Sequence, residues 1–138
     1  MLRVLIAEDE VALALALRRQ LEKSGCEVVG LAADGKQAVE LCQATRPDVV
    51  LMDVGLPVMD GIRATRTIMQ ECPTCVLILT AFHGREISVE AEAAGAMGCL
   101  AKPTSAPDVL RAAESALARF AEFGVIRAES EDLDAALL

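Results

Sequence analysis

The stretch Val49-Val50-Leu51-Met52-Asp53 decides the fold prediction, because four consecutive apolar residues end in a single carboxylate. An unbroken apolar run, without the alternation of a half-buried strand, is typical of a strand that is covered on both faces. Strands of this kind belong to parallel sheets with helices packed on both sides. The stretch therefore predicts a central strand of an α/β domain, with Asp53 at its carboxyl end.

Similar apolar runs recur at intervals of roughly 21–27 residues, about the length of one strand plus one helix. They are Val4–Ala7, Val28–Leu31, Val76–Leu79 and Cys99–Ala101. Segments between them carry apolar residues at helical spacing. Val11–Leu17 is ambiguous because its leucines alternate, but its alanines and the preceding acids favour a helix. The pattern predicts an α/β, flavodoxin-like doubly wound (βα)5 fold with a parallel five-stranded sheet in the order 2-1-3-4-5.

We expect residues 1–121 to form this domain and residues 122–138 to form an acidic C-terminal helical tail. Phe123, Ile126, Leu133 and Leu137 fall at spacings that fit the a/d seam of a short coiled coil. Such a seam would extend the last helix and support a homodimer together with the surface of the domain. The alternative is a frayed acidic tail.

Composition excludes several classes of function. With 21 acidic and 13 basic residues, the net charge is −8, which argues against direct DNA binding because that needs a basic face. No apolar run approaches the ~20 residues that cross a bilayer, so we expect no membrane span. Five cysteines at irregular spacing fit reduced thiols, and the chain is predicted to be cytoplasmic.

Polar residues follow four of the predicted strands at the edge where an open parallel sheet binds its ligands. They are Glu8 and Asp9, Asp53, Thr80, and Lys102. Clustered carboxylates repel one another unless a cation neutralises them, and oxygen ligands without His or Cys suit Mg²⁺. Lys102 and Thr80 would then bind phosphoryl oxygens, with Asp53 as the nucleophile. The simpler interpretation is that these are solvated loop residues.

These residues resemble the receiver domain of two-component response regulators. The similar motifs are Leu5-Ile6-Ala7-Glu8-Asp9-Glu10, the segment from Val50 to Gly61, Leu79-Thr80-Ala81 and Lys102-Pro103. The resemblance covers residues 2 to about 121. It implies a signalling domain rather than a metabolic enzyme, although one that promotes its own phosphorylation and dephosphorylation.

The resemblance also implies a role for each site residue. Asp53 would accept a phosphoryl group from a sensor histidine kinase or a phosphotransfer protein. Asp9, Asp53 and the Gly55 carbonyl would ligate Mg²⁺, with Glu8 acting through water. Thr80 and Lys102 would contact the phosphoryl group, and the Lys102–Pro103 bond is often cis in the family.

One departure from the family bears on switching, and several alternatives stay open. Cys99 stands where the family usually has an aromatic switch residue, so switching would depend on Thr80 and its loop. A pseudo-receiver that works as an interaction module without phosphorylation is the main alternative. A haloacid dehalogenase-type phosphatase would need an Asp where Gly55 stands. In a flavodoxin-like nucleotide site, the phosphate would be repelled by Glu8, Asp9 and Glu10 unless a metal intervened.

The segment from Ala118 to Phe123 is weakly similar to the linker of ANTAR-type antiterminator response regulators. This similarity would suggest an RNA-level regulator.

Overall fold

The chain folds as alternating strands and helices. The computed structural model describes the backbone of residues 1–81 and 85–136 and the side chains of residues 1–81 and 86–122. Within these ranges the elements are β1 (Arg3–Ala7), α1 (Val11–Lys23), β2 (Glu27–Ala32), α2 (Gly35–Thr45), β3 (Val49–Asp53), α3 (Gly61–Glu71), β4 (Cys75–Thr80), α4 (Arg85–Ala94), β5 (Gly98–Ala101) and α5 (Ala106–Ala136).

The five strands form one sheet in the order β2-β1-β3-β4-β5, and every neighbouring pair is parallel. The predicted fold class and strand order are therefore confirmed. Every residue of β3 and β4 is buried, whereas β2 and β5 are only partly buried. This difference follows from position, since β2 and β5 are the edge strands.

Helices cover both faces of the sheet and create two cores. Leu5 and Ala7 of β1 pack with α2, α3 and α4, while Val4 and Ile6 pack on the other face with α1 and α5. The ambiguous segment is confirmed as helix, because Val11–Lys23 is α1. Leu13 and Leu15 stay exposed and Leu17 faces the core. The alternation of leucines in the sequence therefore does not mark one buried face of a strand.

Two helices begin at the Asp-Gly pairs of the sequence. The Asp34 side chain accepts a hydrogen bond from the Gln37 amide at 2.8 Å, and the Asp60 side chain accepts one from the Arg63 amide at 2.9 Å. These contacts cap α2 and α3 and satisfy backbone donors that have no partner inside the helix. Asp60, which lies seven residues beyond Asp53 in the sequence, thus fixes the start of α3 at Gly61.

The last helix is 31 residues long and runs from Ala106 to Ala136. Among the side chains that the structure describes, Phe120 is the last one of this helix that packs against the core between the sheet and helices α1 and α5. The side chains of the predicted seam, from Phe123 onward, lie outside the described side chains. The division of the chain at residue 121 therefore remains a prediction.

Candidate functional site

Four adjacent strands deliver the candidate site residues to one edge of the sheet. β3 ends at Asp53 and β4 ends at Thr80, while Glu8 directly follows β1 and Lys102 directly follows β5. Because β1 has β2 on one side and β3 on the other, the crevice between β1 and β3 is the point where the strand order reverses. Open α/β sheets bind their ligands at that crevice.

Lys102 links the two carboxylates that flank this crevice. Its Nζ lies 2.8 Å from Oε1 of Glu8 and 3.2 Å from Oδ2 of Asp53. The side chains of Glu8 and Asp53 are 3% and 10% exposed, so both ion pairs are shielded from water. Shielded charges interact more strongly than surface charges, but they need a partner to offset their lost hydration. Lys102 supplies that partner to both acids.

Backbone contacts hold Lys102 at this position. The Lys102 amide donates a hydrogen bond to the Thr80 carbonyl at 3.0 Å, which continues the pairing of β5 with β4. The Lys102–Pro103 peptide bond is cis, as the resemblance implied. Thr80 itself is buried at the end of β4, between the strands that carry Asp53 and Lys102. The two predicted phosphoryl ligands therefore start from neighbouring strands.

Three carboxylates form an acidic cluster beside Lys102. One oxygen from each of Glu8, Asp9 and Asp53 lies within 4.8 Å of the other two. Glu8 and Asp53 are buried, and Asp9 is exposed. Among the described residues, Oε2 of Glu8 is a buried oxygen without a hydrogen-bond partner.

This donor set fits a hard divalent cation. Mg²⁺ prefers carboxylate oxygens and keeps several waters, which suits a cluster with one solvent-facing member. A cation or a water would also satisfy the unpartnered oxygen of Glu8, whose burial is otherwise unfavourable. Gly55 contributes through its backbone amide, which donates to Oδ1 of Asp53 at 3.2 Å. The assignment of the Gly55 carbonyl as a ligand remains a prediction.

The buried acids differ in their protonation. Burial and the hydrogen bond with Asp53 together raise the pKa of Glu8 from 4.5 to about 7, against the opposing effect of Lys102. Burial also acts to raise the pKa of Asp53, but the hydrogen bonds from Glu8 and the Gly55 amide, together with Lys102, outweigh it and lower that pKa. Asp53 therefore stays ionised near neutral pH, as a nucleophilic carboxylate requires.

Some features of this site are not predicted by the sequence. The shortest ion pair of Lys102 is with Glu8, which lies 94 residues away, and the sequence instead predicted a phosphoryl contact for this lysine. Val58 has a φ of 68°, which is rare for a β-branched residue. The sequence signals near Val58 are Pro57 and the pair Asp60-Gly61, which indicate a turn or helix start without fixing the backbone at Val58.

Cys99, the predicted departure from the family, stands in an edge strand, and its effect on switching stays a prediction. Cys99 lies in the edge strand β5 and is the exposed member of five free cysteines, the other four being buried. Cys72 and Cys75 pack in the cores on opposite faces of the sheet. In the described ranges, no helix combines the length and apolar character of a membrane span.

A model of the response regulator receiver domain family matches residues 4–114 of the chain. The transcriptional regulatory protein PdtaR of Mycobacterium tuberculosis is 43% identical over 127 residues, which are 92% of this chain and 62% of that protein. A protein-glutamate methylesterase/protein-glutamine glutaminase of Hahella chejuensis is 40% identical over 119 residues, or 83% of this chain and 34% of that protein. The chain thus spans less than two thirds of either relative.

Solved receiver structures share the fold along most of their length. The response regulator domain of Thermotoga maritima CheB superimposes with a TM-score of 0.78 at 31% identity, covering 85% of this chain and 96% of that one. The signal receiver domain of the putative response regulator NarL from Mycobacterium tuberculosis gives a TM-score of 0.76 at 35% identity, covering 82% and 96%.

Proposed function

The chain belongs to the family of response regulator receiver domains, and from this premise we propose that Asp53 accepts a phosphoryl group and thereby switches a partner-binding surface. One observation carries the proposal: a buried, ionised carboxylate at the end of a central strand lies 3.2 Å from a lysine and within 4.8 Å of two further acids. This arrangement provides a nucleophile, a positive charge and a cation-binding cluster in one crevice.

The proposed chemistry follows from the roles of these groups. An Oδ atom of Asp53 attacks phosphorus, the new O–P bond forms, and the bond from phosphorus to the imidazole nitrogen of a phosphohistidine breaks. Lys102 stabilises the negative charge on the transferred phosphoryl oxygens, since charge-assisted hydrogen bonds are the stronger ones. Thr80 is proposed to hydrogen-bond the same oxygens once the group is attached.

Glu8, Asp9 and Asp53 are proposed to hold Mg²⁺, with the Gly55 carbonyl as an additional ligand. A bound Mg²⁺ would neutralise the crowded carboxylates and the incoming phosphoryl charge. The buried oxygen of Glu8 that has no partner among the described residues supports this assignment. With these groups the domain would also promote its own phosphorylation by small phosphodonors and its own dephosphorylation.

The phosphodonor is proposed to be a sensor histidine kinase or a phosphotransfer protein, in the cytoplasm. The four buried cysteines remain free thiols, which suits that reducing compartment. A homodimer is proposed as the assembled form, because the backbone of α5 continues to Ala136, sixteen residues beyond Phe120, which packs against the core that α1 and α5 cover. Helix that extends beyond a domain is only marginally stable without a partner.

Phosphorylation by acetyl phosphate tests the proposal. With Mg²⁺ present, the intact protein should gain the mass of one phosphoryl group, and Asp53→Asn should abolish the gain. Glu10→Gln is the matched control, because Glu10 is an exposed acid close in sequence to the cluster, and it should be labelled like the unmodified chain. Labelling that persists in Asp53→Asn would remove Asp53 from this role. A folded chain that is never labelled would instead support a pseudo-receiver.

A further inference from the structure

The segment that follows Asp53 is clamped between the phospho-acceptor and two helices. Residues 54–60 connect β3 to α3, and Leu56 within this segment is buried in the core. Both ends of the segment make backbone contacts too close for any side chain. A rigid connection from Asp53 carries movement further than a loose loop does.

The first contact joins Asp53 to the start of α3. A Cβ atom placed on Gly61 would lie 2.1 Å from the carbonyl oxygen of Asp53, so only glycine fits there. The Gly61 amide also donates to the Val54 carbonyl at 3.0 Å. The backbone of Asp53 is therefore in direct contact with Gly61, the first residue of α3.

The second contact joins the same segment to the start of α2. A Cβ atom placed on Gly35 would lie 1.8 Å from the carbonyl oxygen of Met59. The Gly35 amide lies 3.4 Å from the Pro57 carbonyl, to which it donates. Asp34, directly before it, caps α2. The first turn of α2 is thus held against the segment by backbone alone.

A tight turn separates these two contacts. The Met59 amide donates to the Pro57 carbonyl at 2.7 Å, which closes a three-residue turn around Val58 at a φ of 68°. Such γ-turns with positive φ are rare and strained, and they persist only where the surroundings hold them. Asp53, Gly61, the turn and Gly35 therefore form one continuous set of backbone contacts.

We propose that phosphorylation of Asp53 is transmitted to the first turn of α2 through the turn at Pro57–Met59, which makes residues 33–37 a second switch segment. This inference rests on the proposed function, because it needs Asp53 to carry the phosphoryl group. Close-packed contacts transmit displacements because neighbouring groups cannot give way independently. The partner-binding surface would then include the loop between β2 and α2 as well as the part of the sheet edge near Thr80.

Amide NMR with beryllofluoride and Mg²⁺, a phosphoryl mimic, tests this inference on the full chain. The expected result is a set of chemical-shift changes at residues 33–37 with the same mimic concentration dependence as those at residues 53–55. Changes at residues 53–55 without changes at residues 33–37 would overturn the inference and leave the proposed function intact. An absence of changes throughout would instead count against the proposed function, and the inference would fall with it.

Gly35→Ala separates transmission through contact from a direct effect of charge. The added methyl group has to push α2 away from the Met59 carbonyl, so the changes at residues 33–37 should be lost while those at residues 53–55 remain. Lys36→Ala is the matched control, because Lys36 is exposed on the same turn, and it should keep both sets of changes. Changes at residues 33–37 that survive in a folded Gly35→Ala chain would overturn the inference. If Gly35→Ala does not fold, the result for the unmodified chain decides.

Discussion

Replacing Val58 with asparagine should stabilise the chain, although it exchanges an apolar residue for a polar one. Val58 has a φ of 68°, in the left-handed region where an L-residue pays about 1–2 kcal/mol. Asparagine tolerates this region better because its short side chain forms local hydrogen bonds. Val58→Asn therefore relieves most of the strain in the turn at Pro57–Met59.

The loss of burial in Val58→Asn is small. Val58 is 79% exposed, so the fifth of the side chain that is buried contributes about 0.5 kcal/mol. The net expectation is a gain of about 1 kcal/mol in the free energy of unfolding. For a chain of this length, that gain corresponds to a rise in Tm of about 3 °C.

Urea unfolding followed by circular dichroism measures this gain, and a second valine provides the control. Val89 is also exposed, but it lies within helix α4, where valine and asparagine have similar helix propensities. Val89→Asn should therefore leave the stability nearly unchanged. The strain argument fails if Val58→Asn is no more stable than the unmodified chain, or if Val89→Asn gains as much.

Four further outcomes are expected. In Mg²⁺-free buffer, the raised pKa of Glu8 means that the native state binds more protons than the unfolded state between pH 4.5 and about 7. The free energy of unfolding should therefore fall as pH rises through this range. Urea titrations should show a smaller dependence on pH for Glu8→Gln. Asp9→Asn should weaken Mg²⁺ binding more than Glu8→Gln, and calorimetry showing the reverse order would contradict the ligand assignment. Beryllofluoride should shift Thr80 amide resonances more than those of Cys99, which lacks the bulk to alternate between a buried and an exposed pocket; shifts centred on Cys99 would refute this. In light scattering at high micromolar concentration, the full chain should have the mass of a dimer, and the chain truncated after Glu122 should have the mass of a monomer. If both chains have the mass of a monomer, the tail has no role in assembly.

The fold was predictable because strands that are buried on both faces consist of apolar residues. β3 and β4 are buried on both faces, so their residues are apolar without interruption. The edge strands gave weaker signals, since β5 has only four residues and its Cys99 is exposed. The ambiguity at α1 had a physical cause too, because exposed leucines at positions 13 and 15 imitate the alternation of a strand.

The predicted site residues meet at one edge for a similar reason. Parallel strands place their carboxyl ends along one edge of the sheet, and the order β1-β3-β4-β5 makes the ends that carry these residues adjacent. The sequence cannot fix the local backbone in the same way. The φ of Val58 and the contact of Gly35 with Met59 depend on how the segment after Asp53 fits between two helices, and no periodicity records that fit.

The ion pairs of Lys102 show that a cluster of acids in the sequence can be neutralised either by a metal ion or by a lysine of the same chain. The crowding of Glu8, Asp9 and Asp53 predicted a cation, and Mg²⁺ fits their oxygens. The structure adds that the chain supplies a cation of its own, because Lys102 lies 2.8 Å from Glu8 and 3.2 Å from Asp53. A lysine is a compact charge on a flexible stem, so it can leave one acid for another anion at little cost in geometry. If a divalent ion bound at Glu8, it would weaken the shorter of these two ion pairs, and Lys102 would become available to the proposed phosphoryl group on Asp53. The ion pair with Glu8 is thus compatible with the phosphoryl contact predicted for Lys102, because it holds the lysine beside Asp53.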